Sequence, residues 1–387
     1  MITTETADSA LKSYYLGAVS EQLDKSVNPL LAQIKKTTSD VWGKDVRKAV
    51  RFGVNGGIGA GSETGALPSA SSNSYAQFVA PLKNLYGVIE ISDKAIRASQ
   101  HAEGAFVNLL NDEMDGLVKS SSFNFGRMLF GDGTGKLATI TAVDDSGETP
   151  FYVVDSTRNH AEGMVIDVFN AAGVGGVSGR TILEVDRANK KIAISGSPIA
   201  SPTNYTIYVQ RSKGLEITGL DAIFGDGDLY GVPRAGNSWM APYKQTAVGT
   251  LTEATIQKAI DHVEERSGSK VNFIVCSWGV RRAIFNLLAA YRTTDMVALE
   301  GGFTALSYNG IPIVADRFCP EGTMYLLNTD DFALHQLCDW QWLEGEDGKI
   351  LKQIAGRPTY SATLVKYAEL LCYRPAGQAM LSGITEA

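Results

Sequence analysis

The sequence is poor in the residues from which catalytic and metal centres are usually built. It has only four histidines, His101, His160, His262 and His335, and none forms a His-x-x-x-His or Glu-x-x-His helical pair. Its four cysteines, Cys276, Cys319, Cys338 and Cys372, never fall in Cys-x-x-Cys spacing, and a chain of 387 residues has no need of disulfide staples. They read as buried free thiols. No catalytic residue, metal ligand or cofactor site is therefore expected. No stretch approaches the roughly 18 apolar residues of a membrane helix, and Met1-Ile2-Thr3-Thr4-Glu5 lacks the regions of a secretory signal. Positive charge is also in deficit: 35 Lys and Arg against 42 Asp and Glu leave a net charge of −7, which argues against duplex DNA binding as the main business. A soluble cytoplasmic product without a membrane partner is expected. With 44% apolar residues the chain folds, and its length allows two or three domains.

What is present is unevenly placed. Leu11, Tyr14, Tyr15, Ala18, Val19 and Leu23 have helical spacing behind a cap at Asp8 or Ser9. Residues 25–51 then hold seven basic residues, Lys25, Lys35, Lys36, Lys44, Arg47, Lys48 and Arg51, against Asp40 and Asp45, a local excess of +5. Glycine, at 40 residues, is about 10% of the chain against a usual ~7%, and it clusters between Gly53 and Ser74, where little can pack. Extended sequences flank that cluster, Val46–Phe52 before it and Tyr75–Ile91 after it. The whole reads as a long hairpin with a loose tip, reaching roughly 50–65 Å at about 3.3 Å per residue. An isolated ribbon is marginal in water, so this arm needs a partner surface.

From Ala105 to Leu129 the apolar residues follow one helical stripe, stopped by Gly131-Asp132-Gly133. Between Lys136 and Gln210 the period switches to two, with strand candidates at Leu137–Val143, Phe151–Val154, Met164–Phe169, Thr181–Val185, Lys191–Ser195 and Tyr205–Gln210. Six strands without a helix indicate an inserted small sandwich or barrel. After Trp239 come a helix at Thr252–Glu265 stopped by Gly268, a strand at Val271–Cys276, a helix at Ser277–Tyr291, and strands at Ile311–Ala315 and Met324–Leu327. This is an α/β or α+β unit. Residues 341–373 look extended.

Three local motifs invite functional readings and lose to simpler ones. Gly131-Asp132-Gly133-Thr134-Gly135-Lys136 has one residue too few between its outer glycines for a P-loop, and Leu137 stands where Ser or Thr should hold magnesium. It reads as a helix stop and hinge. Asp226-Gly227-Asp228 opens like a calcium loop, but the twelfth position is Asn237. Ser277 lacks the first glycine of a nucleophile elbow and reads as the N-cap of its helix.

The order of the parts, with Val41-Trp42-Gly43-Lys44 running to Asn55-Gly56-Gly57-Ile58-Gly59-Ala60-Gly61, carries a resemblance. So do Leu85-Tyr86-Gly87-Val88-Ile89-Glu90-Ile91-Ser92-Asp93-Lys94-Ala95-Ile96-Arg97-Ala98-Ser99, Phe125–Gly133 and Asn309–Arg317. The chain resembles the major capsid proteins of tailed bacteriophages with the Hong Kong 97-like fold, an α+β fold, over residues 1–135 and 215–387. The resemblance implies an N-terminal arm at 1–46, an E-loop hairpin at 47–92, and a peripheral domain with its spine helix at 93–133. It further implies a linker at 214–238, an axial domain at 239–335, peripheral long strands at 336–375 and a C-terminal end near the axial domain at 376–387. The inserted β domain, 134–213, is what the minimal fold lacks.

The implied function is a shell subunit that forms pentamers and hexamers of an icosahedral head around double-stranded DNA, contacted without sequence specificity. The implied location is the virion, after assembly in the host cytoplasm. Partners implied are a portal, a maturation protease and, because the first helix lies within ten residues of Met1, a separate scaffolding protein. Lys44, Lys48, Arg51, Gly56, Gly57, Gly59 and Gly61 are the expected subunit-interface residues. An encapsulin-like compartment shares the fold and is the alternative; a carbohydrate-binding β protein would rest on the insert alone.

Overall fold

The structure, a computed structural model, describes residues 28–39, 41, 43–94, 105–147, 150–289, 296–298, 304–345 and 348–387. The leading helix expected within residues 8–23, Lys25 and His101 lie outside the described residues. Three hydrophobic cores organise the rest.

The largest core lies against a five-stranded sheet. Helix α1 (Pro29–Gln33), started by proline at its first position, buries Leu30 and Leu31 and delivers strand β1 (Lys35–Thr37) parallel to β17 (Phe332–Trp342). β17 pairs antiparallel with the 14-residue strand β19 (Thr359–Cys372), whose far side takes β4 (Lys83–Ser92). The short β18 (Lys352–Gln353) completes the sheet. Helix α2 (Ala105–Leu129) packs on it with Met114, Val118, Phe125, Met128 and Leu129 buried. Gly126 is required for close approach. A Cβ there would sit 2.0 Å from Asn28 Oδ1 and 2.5 Å from the ring of Phe318, so a larger residue would push α1 off the helix.

The hairpin departs from its sequence reading. Its second strand is not continuous to Ile91: β2 (Asp45–Phe52) pairs only with β3 (Ser74–Pro81), from Asp45↔Pro81 to Phe52↔Ser74. Pro81 has no N–H to continue the ladder, Leu82 N donates to Lys44 O, and β4 turns away to β19. The laddered ribbon is thus eight residues long, about 26 Å.

The inserted segment is a closed barrel of six antiparallel strands in the order β10-β5-β6-β9-β8-β7. These are β5 (Lys136–Asp144), β6 (Phe151–Val154), β7 (Val165–Phe169), β8 (Gly176–Asp186), β9 (Lys191–Ile194) and β10 (Thr206–Val209). Inward residues alternate along each strand, and Ile140, Tyr152, Ile166, Ile182, Ile192 and Ile207 fill the centre. Closure leaves no free sheet edge.

Short helix α3 (Leu220–Ile223) leads into the third unit, a mixed seven-stranded sheet ordered β11-β20-β16-β12-β15-β14-β13. Its strands are β11 (Tyr243–Gln245), β12 (Phe273–Cys276), β13 (Met296–Ala298), β14 (Thr304–Tyr308), β15 (Ile311–Ala315), β16 (Met324–Leu327) and β20 (Ala379–Leu381). One face carries α4 (Glu253–Ser267) and α5 (Trp278–Ala289) over Ile274, Met324 and Leu326. Helix α4 starts where Thr252 accepts a hydrogen bond from Thr255 N and ends at Gly268, whose φ of +65° a side chain would oppose. The opposite face contributes Phe273, Val275, Tyr325 and Leu327 to the largest core.

Candidate assembly surfaces

The ribbon has two faces with different fates. Val46, Phe78 and Ala80 on the inner face are buried, because strand alternation aims them at the body of the subunit. Phe52 and Phe78 both stack on Trp239, with centroids 4.7 and 6.1 Å away and planes within 6°. Val79 N donates to Tyr230 O at 3.0 Å, and Tyr230 in turn donates its hydroxyl to Leu370 O at 2.9 Å and accepts from Cys372 N at 3.1 Å. Tyr230 thereby ties the ribbon to β19. The expectation that the hairpin has no core holds only for its outer part, since a rigid aromatic stack roots it.

Beyond Phe52 the two chains stay together without a ladder. A Cβ on Gly57 would meet Ser71 N at 3.2 Å, one on Gly59 would meet Pro68 Cγ at 3.0 Å, and Gly61 lies opposite Ala66. Gly65 N closes the tip by donating to Ser62 O at 3.1 Å. Gly56, Gly57, Gly59 and Gly61 have ordinary φ angles, so they serve by lacking a side chain between two close strands. Val54, Ile58 and Leu67 are 84, 80 and 89% exposed on this tip. The outer part of the finger thus holds three large apolar side chains in water and buries none of them.

The basic segment is less free than its charge suggests. Lys48 lies on the inner face with its Nζ 5.6 Å from the Tyr373 ring centroid, while the Tyr373 hydroxyl is 2.7 Å from His335 Nε2. Arg47 forms a two-point pair with Asp45 at 3.2 Å. Lys36 meets Asp339 at 3.3 Å, and Asp339 also accepts from Lys366 at 2.5 Å. Burial of Asp339 works to raise its pKa, but the two ammonium groups outweigh it and hold it at about 2. Lys366 itself is buried, donating to Gln336 Oε1 at 2.8 Å. The pair Lys36–Asp339 clips the arm strand to β17, a role that charge counting along the sequence does not show. Lys44 and Arg51 remain exposed on the ribbon.

The other singled-out residues take structural places. His160 and His335 are buried, and burial pushes His160 down to about 4. His262 packs against Tyr243 with ring centroids 4.5 Å apart and planes tilted by 42°. Ser277 caps α5, accepting from Val280 N and donating to Glu386. Asp132 caps the Gly131–Lys136 turn by accepting from Thr134 N at 2.9 Å, and that turn joins α2 to the barrel beside a cavity of about 300 Å³. Asp226 pairs with Lys244. Cys276, Cys319 and Cys372 are buried, whereas Cys338 is half-buried, a correction to the thiol reading. Among the described residues no group of three His, Cys, Asp or Glu could hold a metal, and no helix is long and apolar enough to cross a membrane.

Missed by sequence reasoning were Trp239, Tyr230 and Glu369. Glu369 is fully buried in β19, where Oε1 accepts from Thr218 N at 2.6 Å and Leu370 N at 3.1 Å, and burial pushes its pKa up to about 7 against those bonds. The available signal for it was a lone carboxylate in the apolar run Tyr367–Cys372.

Residues 202–347 match the family described as SU10 major capsid protein. No curated protein matches the sequence. The fold is similar to that in the cyanophage A-1(L) capsid asymmetric unit, with a TM-score of 0.58 and 12% identity over 93% of both chains. It is also similar to the holo-SrpI encapsulin complex from Synechococcus elongatus, with a TM-score of 0.50 and 10% identity over 95% of both. At such identities these likenesses speak to fold. Over residues 202–347 the chain is thus similar to a phage major capsid protein family, and over nearly its whole length it has the Hong Kong 97-like fold.

Proposed function

We propose that copies of this chain associate into pentamers and hexamers and close into the icosahedral head that encloses double-stranded DNA. The observation that carries this reading is the rooted finger whose tip exposes Val54, Ile58 and Leu67. A rigid root projects an apolar tip away from its own core, so the tip's burial must come from another copy. Contacts between different surfaces of identical chains close into rings, and obligate interfaces bury several thousand Å². In this reading residues 1–46 are the arm, 47–92 the E-loop region, and 93–133 with 336–375 the peripheral domain. Residues 239–335 and 376–387 form the axial part, 214–238 link the two, and 134–213 are a barrel that braces or decorates the capsomer.

Lys44 and Arg51 then face neighbouring subunits, and Gly56, Gly57, Gly59 and Gly61 let the finger stay thin where it crosses them. Scaffolding protein, portal and protease act during assembly in the host cytoplasm, and DNA is met through non-specific contacts. Replacing residues 54–73 by a two-residue turn should leave a folded, soluble subunit that forms no closed shells by electron microscopy. Normal shells from that deletion, or a wild-type chain that stays monomeric at micromolar concentration by analytical ultracentrifugation, would sink the reading. The encapsulin-like alternative predicts shells without DNA and a captured cargo protein.

A further inference from the structure

Helix α5 exposes aromatic surface that is not buried by the described residues of its own subunit. Trp278 and Phe285 are 53 and 56% exposed, and seven residues apart they stand on one face, about 10 Å from each other along the axis. Arg281 lies between them with its guanidinium 5.8 Å from the Trp278 ring, which makes the patch cationic as well as apolar. Arg282 beside it is taken up by the Ala387 carbonyl oxygen. Trp, Phe and Arg together are the residue types that anchor protein interfaces.

The same sheet face carries the complement. Helix α4 turns Asp261, Glu264 and Glu265 outward on one side, spaced three and four residues apart, with Lys258 one turn earlier. Helix α4 packs on the β11 and β20 side of the seven-stranded sheet and α5 on the β15 side, with β16 and β12 between. With the Arg266 guanidinium drawn to the Ser238 carbonyl oxygen, three carboxylates against Lys258 leave the α4 side net acidic, while the α5 side is cationic and aromatic. A two-fold pair centred on either lateral patch would match that patch with itself, setting Arg281 against Arg281. A head-to-tail ring sets the cationic patch of each copy against the acidic helix of the next.

We infer that the occupant of the Trp278–Arg281–Phe285 patch is a second copy of this chain, received through its α4 residues Asp261, Glu264 and Glu265. This rests on the ring-forming reading above and names its contact. Trp278→Ser with Phe285→Ser in the full chain should keep the unfolding midpoint of dissociated subunits while lowering the yield of rings and shells about tenfold or more. Arg281→Glu should do the same, and adding Glu264→Lys and Glu265→Lys to that chain should restore assembly, because two of the three receiving carboxylates become cations and α4 then presents net positive charge to the new carboxylate. If the triple variant does not fold, Phe285→Cys with Glu265→Cys decides the matter: oxidation of assembled particles should give ladders of cross-linked chains. Normal assembly of the aromatic variant, no rescue by a folded triple variant, or no ladder would overturn the pairing. Each of these outcomes leaves the shell reading standing, whereas failure of the wild-type chain to associate would remove that reading itself.

Discussion

The two ends of one hairpin obey opposite rules. At the root, Val46, Phe78 and Ala80 are buried and Trp239 stacks on both strands, so this part of the finger belongs to the subunit's core. At the tip, Gly57, Gly59 and Gly61 keep the strands close while Val54, Ile58 and Leu67 stand in water. The same extended backbone thus serves stability at one end and, in the proposed reading, association at the other. A change should register in unfolding at the root and in assembly at the tip.

The largest effect is expected at the root. Phe78→Ala removes a fully buried ring from between Trp239 and Tyr230 and should cost about 3–5 kcal/mol in denaturant unfolding of dissociated subunits. A cost under about 1 kcal/mol would mean that the root does not share the core.

Next comes Glu369, on the strand beneath the root. Burial raises its pKa from 4.5 to about 7, so between those values the native chain holds a proton that the unfolded chain has released. Its contribution is complete below pH 4.5 and is lost as pH rises through 7. Glu369→Gln keeps an oxygen for Thr218 N and cannot ionise. Its stability relative to wild type should therefore improve by on the order of 3 kcal/mol between pH 4.5 and 8. Parallel pH profiles for the two chains would contradict this.

Smaller again is Lys48→Gln, which removes the cation from the Tyr373 ring and should cost about 0.5–1 kcal/mol. Arg51→Gln on the outer side of the ribbon should change stability by less than about 0.5 kcal/mol. Equal effects of the two would erase the distinction between the faces. Least of all in stability, the tip triple Val54→Ser, Ile58→Ser and Leu67→Ser should shift unfolding by under about 0.5 kcal/mol. Light scattering of the same protein should nonetheless show assembly lost.

Much of this architecture was legible. The six short barrel strands were visible because period-two alternation and turn residues are local signals, and β6 spans Phe151–Val154 as read. Helix α4 declared both ends, through Thr252 and Gly268. The hairpin tip was legible as glycine-rich chain that cannot be core. Its split at Leu82 was not, because alternation looks the same whether a strand's partner is its hairpin mate or β19, whose Thr359–Ala368 lie 267–285 residues further along the chain than their partners.

By itself the sequence determined the local parts: which segments alternate, which are helical, where glycine thins the chain, and where positive charge collects. Only the tertiary structure decided which charges are available. Lys36 and Lys48 look equivalent to Arg51 in the sequence, yet one clips the arm to Asp339, one lies over Tyr373, and Arg51 stays exposed. The physical reason is that charge and alternation are properties of a segment, whereas burial and pairing depend on segments hundreds of residues apart. The same holds for the patch on α5, whose aromatic residues have the spacing of a core stripe until the sheet shows that α5 buries its other side.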